Sequence, residues 1–193
     1  MLTFDAYLDG LARAMKSVDA EAVTACVDAI KAAHAADKVI YICGNGGSAA
    51  TASHMVNDLV KAPADASGCR PIRAVGLADC VSLMTAFAND IDYDQMFSKQ
   101  IKAYGREGDL LVAISGSGNS ANVLETCRAA KAIGMRVIGW TGFSGGALKD
   151  LADIHVNVPN ECFGQIEDAH LIIEHAVVEL LKEAFGGKSS AET

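Results

Sequence analysis

Short apolar segments alternate with longer amphipathic segments along most of this chain, and this alternation limits the folds that are open to it. Leu110–Ile114 is a typical apolar segment without charge, and from Ala121 onward the apolar residues recur at helical spacing. Strands that are apolar on both faces must be buried on both faces, and the intervening helices provide the cover. The pattern predicts an α/β fold in which helices cover both faces of a parallel sheet. The predicted strands are Lys38–Cys43, Ile72–Val75, Asp109–Ile114, Arg136–Trp140 and Ile154–Val158.

The predicted helices begin with two alanine-rich amphipathic segments that form an N-terminal helical segment, residues 1–36. No linker divides the rest of the chain, so we expect a single domain over residues 1–193. Residues 186–193 are predicted to form a flexible polar tail. The predicted helices are 3–17, 19–35, Ala49–Val60, Asp79–Ala88, Tyr93–Tyr104, Asn119–Ile133, Ala147–Ala152 and Ile166–Phe185.

Composition argues against several classes of protein. The 193 residues include 16 basic and 24 acidic ones, and because the formal net charge is −8, nucleic acid is not expected as a partner. No apolar run is long enough to cross a membrane. The N-terminus carries Asp5 and Asp9 rather than the pattern of a signal peptide, which predicts a cytoplasmic protein. The six cysteines are scattered without a CxxC pair, so we expect reduced thiols and no zinc–thiolate site.

Two turns rich in glycine and serine follow predicted strands. Gly44–Ser48 follows the first strand, and Ser115–Ser120 follows the third. Glycine allows a sharp turn and a close approach to a ligand, while N–H groups at the start of the next helix attract anions. The turns lack both the Walker lysine and the GxGxxG dinucleotide pattern. Each is consistent with a phosphate-binding turn or with an ordinary strand-to-helix connection.

Ionisable side chains recur at helical spacing on two of the predicted helices. His54 and Asp58 are four residues apart and share a face, and Glu167 and His175 lie two turns apart on the last helix. If these helices meet, two imidazoles and two carboxylates converge, which suits acid–base chemistry or a divalent metal such as zinc. The alternatives are that His54 and Asp58 form a surface contact within their own helix, and that a lone histidine such as His175 is structural. For His170, a helix-stabilising role is favoured.

Four motifs carry a resemblance to a known family: Cys43–Ser48, Phe87–Asp90, Ile114–Val123 and Thr141–Gly146. In this order the chain resembles the sugar isomerase (SIS) family, and within it the phosphoheptose isomerases. The resemblance implies a three-layer αβα sandwich with a five-stranded parallel sheet, and a homotetramer with active sites between subunits. It also implies that sedoheptulose 7-phosphate is converted to D-glycero-D-manno-heptose 7-phosphate, through an enediol(ate), for the heptose of lipopolysaccharide or capsule.

Site residues follow from the resemblance at matching positions. It implies catalytic roles for Asp58, Glu167 and His175, and a divalent metal, with zinc favoured, held by His54, Asp58, Glu167 and His175. The implied substrate-binding residues are Asn45, Gly46, Gly47, Ser48, Asn89, Asp90, Ser115, Gly116, Ser117, Ser120 and Glu167.

The chain departs from the family at three of these positions. The family usually has glutamate where Asp58 stands, glutamine where Glu167 stands and threonine where Gly116 stands. Because Asp58 is one methylene shorter, a proton-transfer base there is set back from its target, so either Glu167 or Asp58 is the base. Two other functions stay open: a phosphosugar-binding regulatory or scaffold protein without catalysis, and an isomerase of another phosphosugar.

Overall fold

The computed structural model describes residues 3–186 and contains one five-stranded sheet with all strands parallel. Helices flank the sheet, which confirms the predicted αβα fold class. The sheet order is β2-β1-β3-β4-β5, so the first strand lies inside the sheet and the second at its edge. The strands are β1 Ile40–Cys43, β2 Ala74–Gly76, β3 Leu110–Ser115, β4 Arg136–Gly142 and β5 Ile154–Val158.

Eight α-helices and one 3-10 turn accompany these strands in the described part of the chain. The first two helices have side-chain caps, since Thr3 and Asp19 accept hydrogen bonds from N–H groups of the first turns. The helices are α1 Phe4–Lys16, α2 Ala20–Ala35, α3 Gly47–Ser67, α4 Val81–Asp90, α5 Met96–Tyr104, α6 Ala121–Ile133, α7 Leu148–Leu151 and α8 Phe163–Ala184, with the 3-10 turn at Tyr93–Gln95.

Alternate residues of the strands enter two separate cores, one on each face of the sheet. On one face, strand residues such as Ile42 and Trp140 pack with helices α2, α3 and α8. On the other face, residues such as Leu111 pack with α5 and α6. Every residue of β1 and β3 is buried, which explains why these strands have unbroken apolar sequences.

Helix α3 differs most from its prediction. It was predicted to end at Val60 because Pro63 lacks an N–H group and usually breaks a helix. The helix instead runs through Pro63, which is buried in it, and ends where Gly68 adopts a left-handed φ of 71°. The prediction of a loop over residues 61–69 was therefore wrong. Packing of the buried face along α8 outweighs the lost hydrogen bond.

Smaller differences affect the segment before β3 and the ends of the chain. Asn89 and Asp90 form the last turn of α4, which was predicted to end at Ala88. Apart from Gly186, the predicted tail lies outside the described residues. None of the helices within residues 3–186 is both long and apolar enough to span a bilayer. All six cysteines are free, as predicted.

Candidate active site

Two turns lie side by side at the carboxyl edge of the sheet. β1 and β3 are parallel neighbours, although the chain forms β2 between them, so the strand order reverses at this point. Gly44–Ser48 follows β1 and Ser115–Ser120 follows β3. Open α/β sheets bind ligands in the crevice at such a reversal. We call these two turns together the loop edge.

The serine turn presents hydrogen-bond donors. The hydroxyl oxygens of Ser115 and Ser120 are 3.0 Å apart. The N–H of Gly118 donates to the carbonyl of Ser115 at 2.9 Å, and a φ of 66° at Gly118 closes the turn. Helix α6 follows directly, and the N–H groups of its first turn have no carbonyl partners within the helix. Hydroxyls and N–H groups in this arrangement suit an anion such as phosphate.

The glycine turn admits a carboxylate from another helix. Gly46 precedes α3 with a φ of 54°, and Ser48 is buried in the first helical turn. A Cβ atom on Gly47 would lie 2.5 Å from the carboxyl carbon of Glu167. Only glycine at this position lets Glu167 lie against the backbone at the start of α3, where the helix dipole favours a negative charge.

Helices α3 and α8 bring four ionisable side chains together. From α3 come His54 and Asp58, and from α8 come Glu174 and His175. One ligand-type atom from each lies within 4.8 Å of the others. The imidazole rings of His54 and His175 have centroids 4.9 Å apart and lie nearly perpendicular, at 80°. We call these four residues the ionisable cluster; it unites three of the residues singled out by spacing with one that was not.

Glu174 is the residue that sequence reasoning missed. Its side chain is fully buried, and neither carboxylate oxygen accepts a hydrogen bond from the described residues. One oxygen lies 3.4 Å from Nδ1 of His54 and 3.6 Å from Nε2 of His175. Burial, and secondarily the charge of Asp58, raises the pKa of Glu174 to about 8. A buried carboxylate without donors is unfavourable unless a positive charge accompanies it.

The ionisable cluster fits a divalent metal. Two imidazoles and two carboxylates are a donor set that zinc accepts. The orphaned atoms support this fit, because Nδ1 of His54 is buried without a hydrogen-bond partner and faces the equally unpaired carboxylate of Glu174. A cation between the two helices would satisfy both.

Glu167, the fourth predicted metal ligand, is not a member of the ionisable cluster. It lines a cleft of about 380 Å³ together with Gly47, Thr51 and His54. The cleft therefore joins the loop edge to the ionisable cluster, and Glu167 lies between them. Glu174 follows Glu167 by seven residues and shares its helical face, which is the sequence signal that could have identified it.

Comparisons with known proteins agree with this architecture. The SIS domain family matches residues 4–142. A phosphoheptose isomerase of Burkholderia pseudomallei is 40% identical over 162 residues, which are 83% of this chain and 81% of that protein. One from Mycobacterium tuberculosis is 39% identical over 169 residues, covering 85% and 83% of the two chains. This chain belongs to the phosphoheptose isomerase family. The structure of the Neisseria gonorrhoeae phosphoheptose isomerase superposes with a TM-score of 0.84 at 35% identity, covering 93% of this chain and 95% of that one.

One departure from the phosphoheptose isomerase pattern has a structural counterpart. At Gly116, where the resemblance led us to expect threonine, a Cβ atom would lie 3.0 Å from the ring of Phe163. The Phe163 side chain is 54% exposed and begins α8. The aromatic ring thus occupies the space beside the serine turn that a larger residue at position 116 would need.

Asn89 and Asp90, predicted to line the sugar, are exposed at the end of α4. The amide of Asn89 donates to the carboxylate of Asp90 at 2.8 Å. Contact with the loop edge comes instead from Tyr93 in the following 3-10 turn, whose hydroxyl lies 3.1 Å from Oδ1 of Asn45. Neither Tyr93 nor the buried Asn122, which also contacts Asn45, was singled out from the sequence.

His170 lies outside the ionisable cluster. It is buried, and its Nε2 is 3.1 Å from the carbonyl oxygen of Thr141 in β4. Burial lowers the pKa of His170 to about 4, so the imidazole is neutral near pH 7 and donates this hydrogen bond. This contact ties α8 to the sheet and assigns His170 a structural role.

Proposed function

We propose that this phosphoheptose isomerase family member converts sedoheptulose 7-phosphate to D-glycero-D-manno-heptose 7-phosphate through an enediol(ate). The observation that carries the proposal is the cleft in which Glu167 lies between a donor-rich loop edge and the ionisable cluster. Aldose–ketose isomerisation needs these parts: an anchor for the phosphate, a base and an acid beside two adjacent carbons, and stabilisation of the charge on oxygen.

The loop edge is proposed to hold the phosphate through Ser48, Ser115, Ser117 and Ser120. Their hydroxyls offer donors, and so do the N–H groups at the starts of α3 and α6 other than those of Ala49 and Val123, which are already bonded. The phosphate takes no part in the chemistry. Its binding energy positions the reacting carbons in the cleft.

The proposed metal residues are His54, Asp58, Glu174 and His175, and zinc is the proposed ion. A bound divalent cation would polarise the sugar carbonyl and neutralise the charge that develops on its oxygen. Glu174 then replaces Glu167 in the metal set implied by the family resemblance. Two carboxylates in one set also make it more negative than a set with one, which favours a cation.

With Asp58 and Glu174 engaged in the cluster, Glu167 is the proposed base. Its carboxylate lines the cleft beside Gly47, at the start of α3. It takes the proton from the carbon next to the carbonyl. His175 is the proposed acid: one ring nitrogen lies in the cluster, and the other delivers a proton to the former carbonyl carbon. The hydroxyl proton of the enediol moves to the former carbonyl oxygen, and proton exchange with water returns Glu167 and His175 to their starting states.

A homotetramer, a cytoplasmic location and a role in supplying heptose for lipopolysaccharide or capsule also belong to this proposal. Support for the assembly comes from large apolar side chains exposed on helices α1 and α8. Phe4 is 74% exposed and Leu8 is 44% exposed, and Leu171, Ile172 and Leu180 are exposed along α8. Contact between copies of the chain would cover them.

The test combines a turnover assay with metal analysis. Purified protein is incubated with sedoheptulose 7-phosphate, with and without added zinc, and the aldose product is measured along with the metal content. The proposal expects aldose formation and close to one metal per chain. Binding of the sugar phosphate without conversion would instead favour a regulatory or scaffold protein, and conversion of a different phosphosugar only would reassign the substrate.

A further inference from the structure

A reciprocal pair of amide side chains joins the glycine turn of the loop edge to the first turn of α6. Nδ2 of Asn45 donates to Oδ1 of Asn122 at 2.8 Å, and Nδ2 of Asn122 donates back to Oδ1 of Asn45 at 2.8 Å. Asn45 belongs to the glycine turn after β1, and Asn122 to the first turn of α6, after the serine turn. Asn122 is 1% exposed, so these bonds are shielded from water.

A backbone group fixes the direction of these hydrogen bonds. The N–H of Val123 donates to Oδ1 of Asn122 at 3.0 Å, and a backbone N–H can only donate. The oxygen of Asn122 must therefore face this N–H, and its amide nitrogen must face Asn45. Asn45 is oriented in turn, because its nitrogen must meet the oxygen of Asn122.

Tyr93 completes the arrangement from the other side. Its hydroxyl lies 3.1 Å from Oδ1 of Asn45, an atom that the network has already fixed as an acceptor, so the tyrosine is the donor. Oδ1 of Asn45 thus accepts two hydrogen bonds, which occupy both of its lone pairs. In the described part of the chain, one N–H of Asn45 is left without an acceptor. Asn45 is half-buried, so this N–H is the amide's remaining group for a ligand.

From this network we infer that Asn122 is a positioning residue that makes Asn45 a hydrogen-bond donor, and never an acceptor, toward the ligand. The ligand atom opposite Asn45 is then an oxygen with a free lone pair, such as the carbonyl or a hydroxyl oxygen of a sugar phosphate. The inference rests on the proposed isomerase function and adds a statement about ligand specificity. A ligand group that can only donate a hydrogen bond would face the N–H donor of Asn45, so its binding is disfavoured.

The experiment is a double-mutant cycle on turnover of sedoheptulose 7-phosphate with Asn45→Ala, Asn122→Ala and the double variant. If Asn122 acts through Asn45, each single variant loses on the order of tenfold or more in kcat/KM, and the double variant loses no more than the worse single variant. Asn122→Asp keeps the shape but cannot donate, so we expect the same loss. Thr126→Val serves as the control: it removes a buried hydroxyl that donates to the backbone carbonyl of Asn122 and leaves the side-chain amide of Asn122 untouched, so kcat/KM should stay within about twofold of wild type.

Losses that multiply in the double variant would overturn the inference, because they would mean that Asn122 supports the fold independently of Asn45. An unchanged kcat/KM in Asn122→Asp would also overturn it. A wild-type protein that lacks turnover refutes the proposed function instead. In that case the same cycle on thermal unfolding still tests the amide pair, with a non-additive loss of stability expected and an additive loss contradicting it.

Discussion

The loop edge and the ionisable cluster are two halves of one candidate site, and they solve different physical problems. The loop edge is built from turns and helix starts. Its hydroxyl and N–H groups form hydrogen bonds with one another or are available to bind an anion. The ionisable cluster lies between two long helices and buries the carboxylate of Glu174 without a hydrogen-bond donor. The first half leaves hydrogen-bond donors for a ligand, whereas the second buries a carboxylate that needs a positive charge.

Glu167 lies between the two halves, and its replacement gives the largest expected effect. Glu167→Gln removes the proposed base but leaves the four residues of the ionisable cluster intact. We expect turnover to fall by about 10²- to 10⁴-fold, the range for loss of a general base, with the metal content unchanged. Asp58→Asn is the comparison variant, and we expect it to lose metal as well as activity.

Kinetics and metal analysis of these two variants show which residue is the general base and which is a metal ligand. If Glu167→Gln loses the metal and Asp58→Asn keeps it, Glu167 is a metal ligand and the proposed metal set is wrong. If neither variant loses turnover, the catalytic assignment is wrong.

Glu174→Gln addresses the incomplete half directly. The amide keeps the shape of the side chain but removes the buried negative charge that pairs with a cation. We expect zinc binding to weaken by about 100-fold or more, since even groups that only support a metal ligand contribute about 10- to 100-fold. Calorimetric titration of the metal-free protein with zinc provides the measurement.

The matched control for Glu174→Gln is Glu183→Gln, the same change at an exposed position of α8. It should leave the zinc affinity unchanged. Wild-type protein should also gain thermal stability on addition of zinc, because a ligand that binds only the folded state stabilises it. Equal zinc affinities in wild type and Glu174→Gln would remove Glu174 from the metal set.

The fold was largely predictable because its determinants are local. Apolar strands, helical spacing and glycine-rich turns each lie within a short stretch of sequence, so the five strands and the loop edge were found at almost their observed places. The main failure, the early end predicted for α3, also has a tertiary cause. Proline breaks helices in isolation, whereas Pro63 is buried in a helix that packs against α8 and β2.

The candidate site was predictable only where its residues are close in sequence. His54 and Asp58 form an i, i+4 pair, which spacing reveals. Glu174 was not singled out, because sequence cannot tell whether a carboxylate at a given helical face meets solvent or a neighbouring helix. Asn122 and Tyr93 were missed for the same reason, since both contact Asn45 across a large separation in sequence.

Ser120→Ala probes the loop edge and has a smaller expected effect. The hydroxyl of Ser120 lies 3.0 Å from that of Ser115, and a phosphate between the turns would accept a hydrogen bond from it. A hydrogen bond to a charged group is worth about 1.5 to 3 kcal/mol, so we expect the dissociation constant for inorganic phosphate to rise roughly tenfold or more. Ser144→Ala, at an exposed serine of another turn, is the control. Identical phosphate affinities in all three proteins would contradict a phosphate site at the serine turn.

The smallest effect is expected for Gly116→Ala, which tests how rigid the loop edge is. The new Cβ would lie 3.0 Å from the ring of Phe163, a side chain that is 54% exposed and can move by a few tenths of an ångström. We therefore expect the free energy of unfolding to change by about 1 kcal/mol or less. Gly118→Ala is the contrasting variant: φ is 66°, and the Cβ would lie 2.0 Å from the carbonyl oxygen of Gly145. A loss of about 3 kcal/mol or more is expected there, because backbone cannot yield as a side chain does. Equal losses of unfolding free energy in the two variants would contradict this expectation. They would mean that the ring of Phe163 does not move to admit a larger residue at position 116.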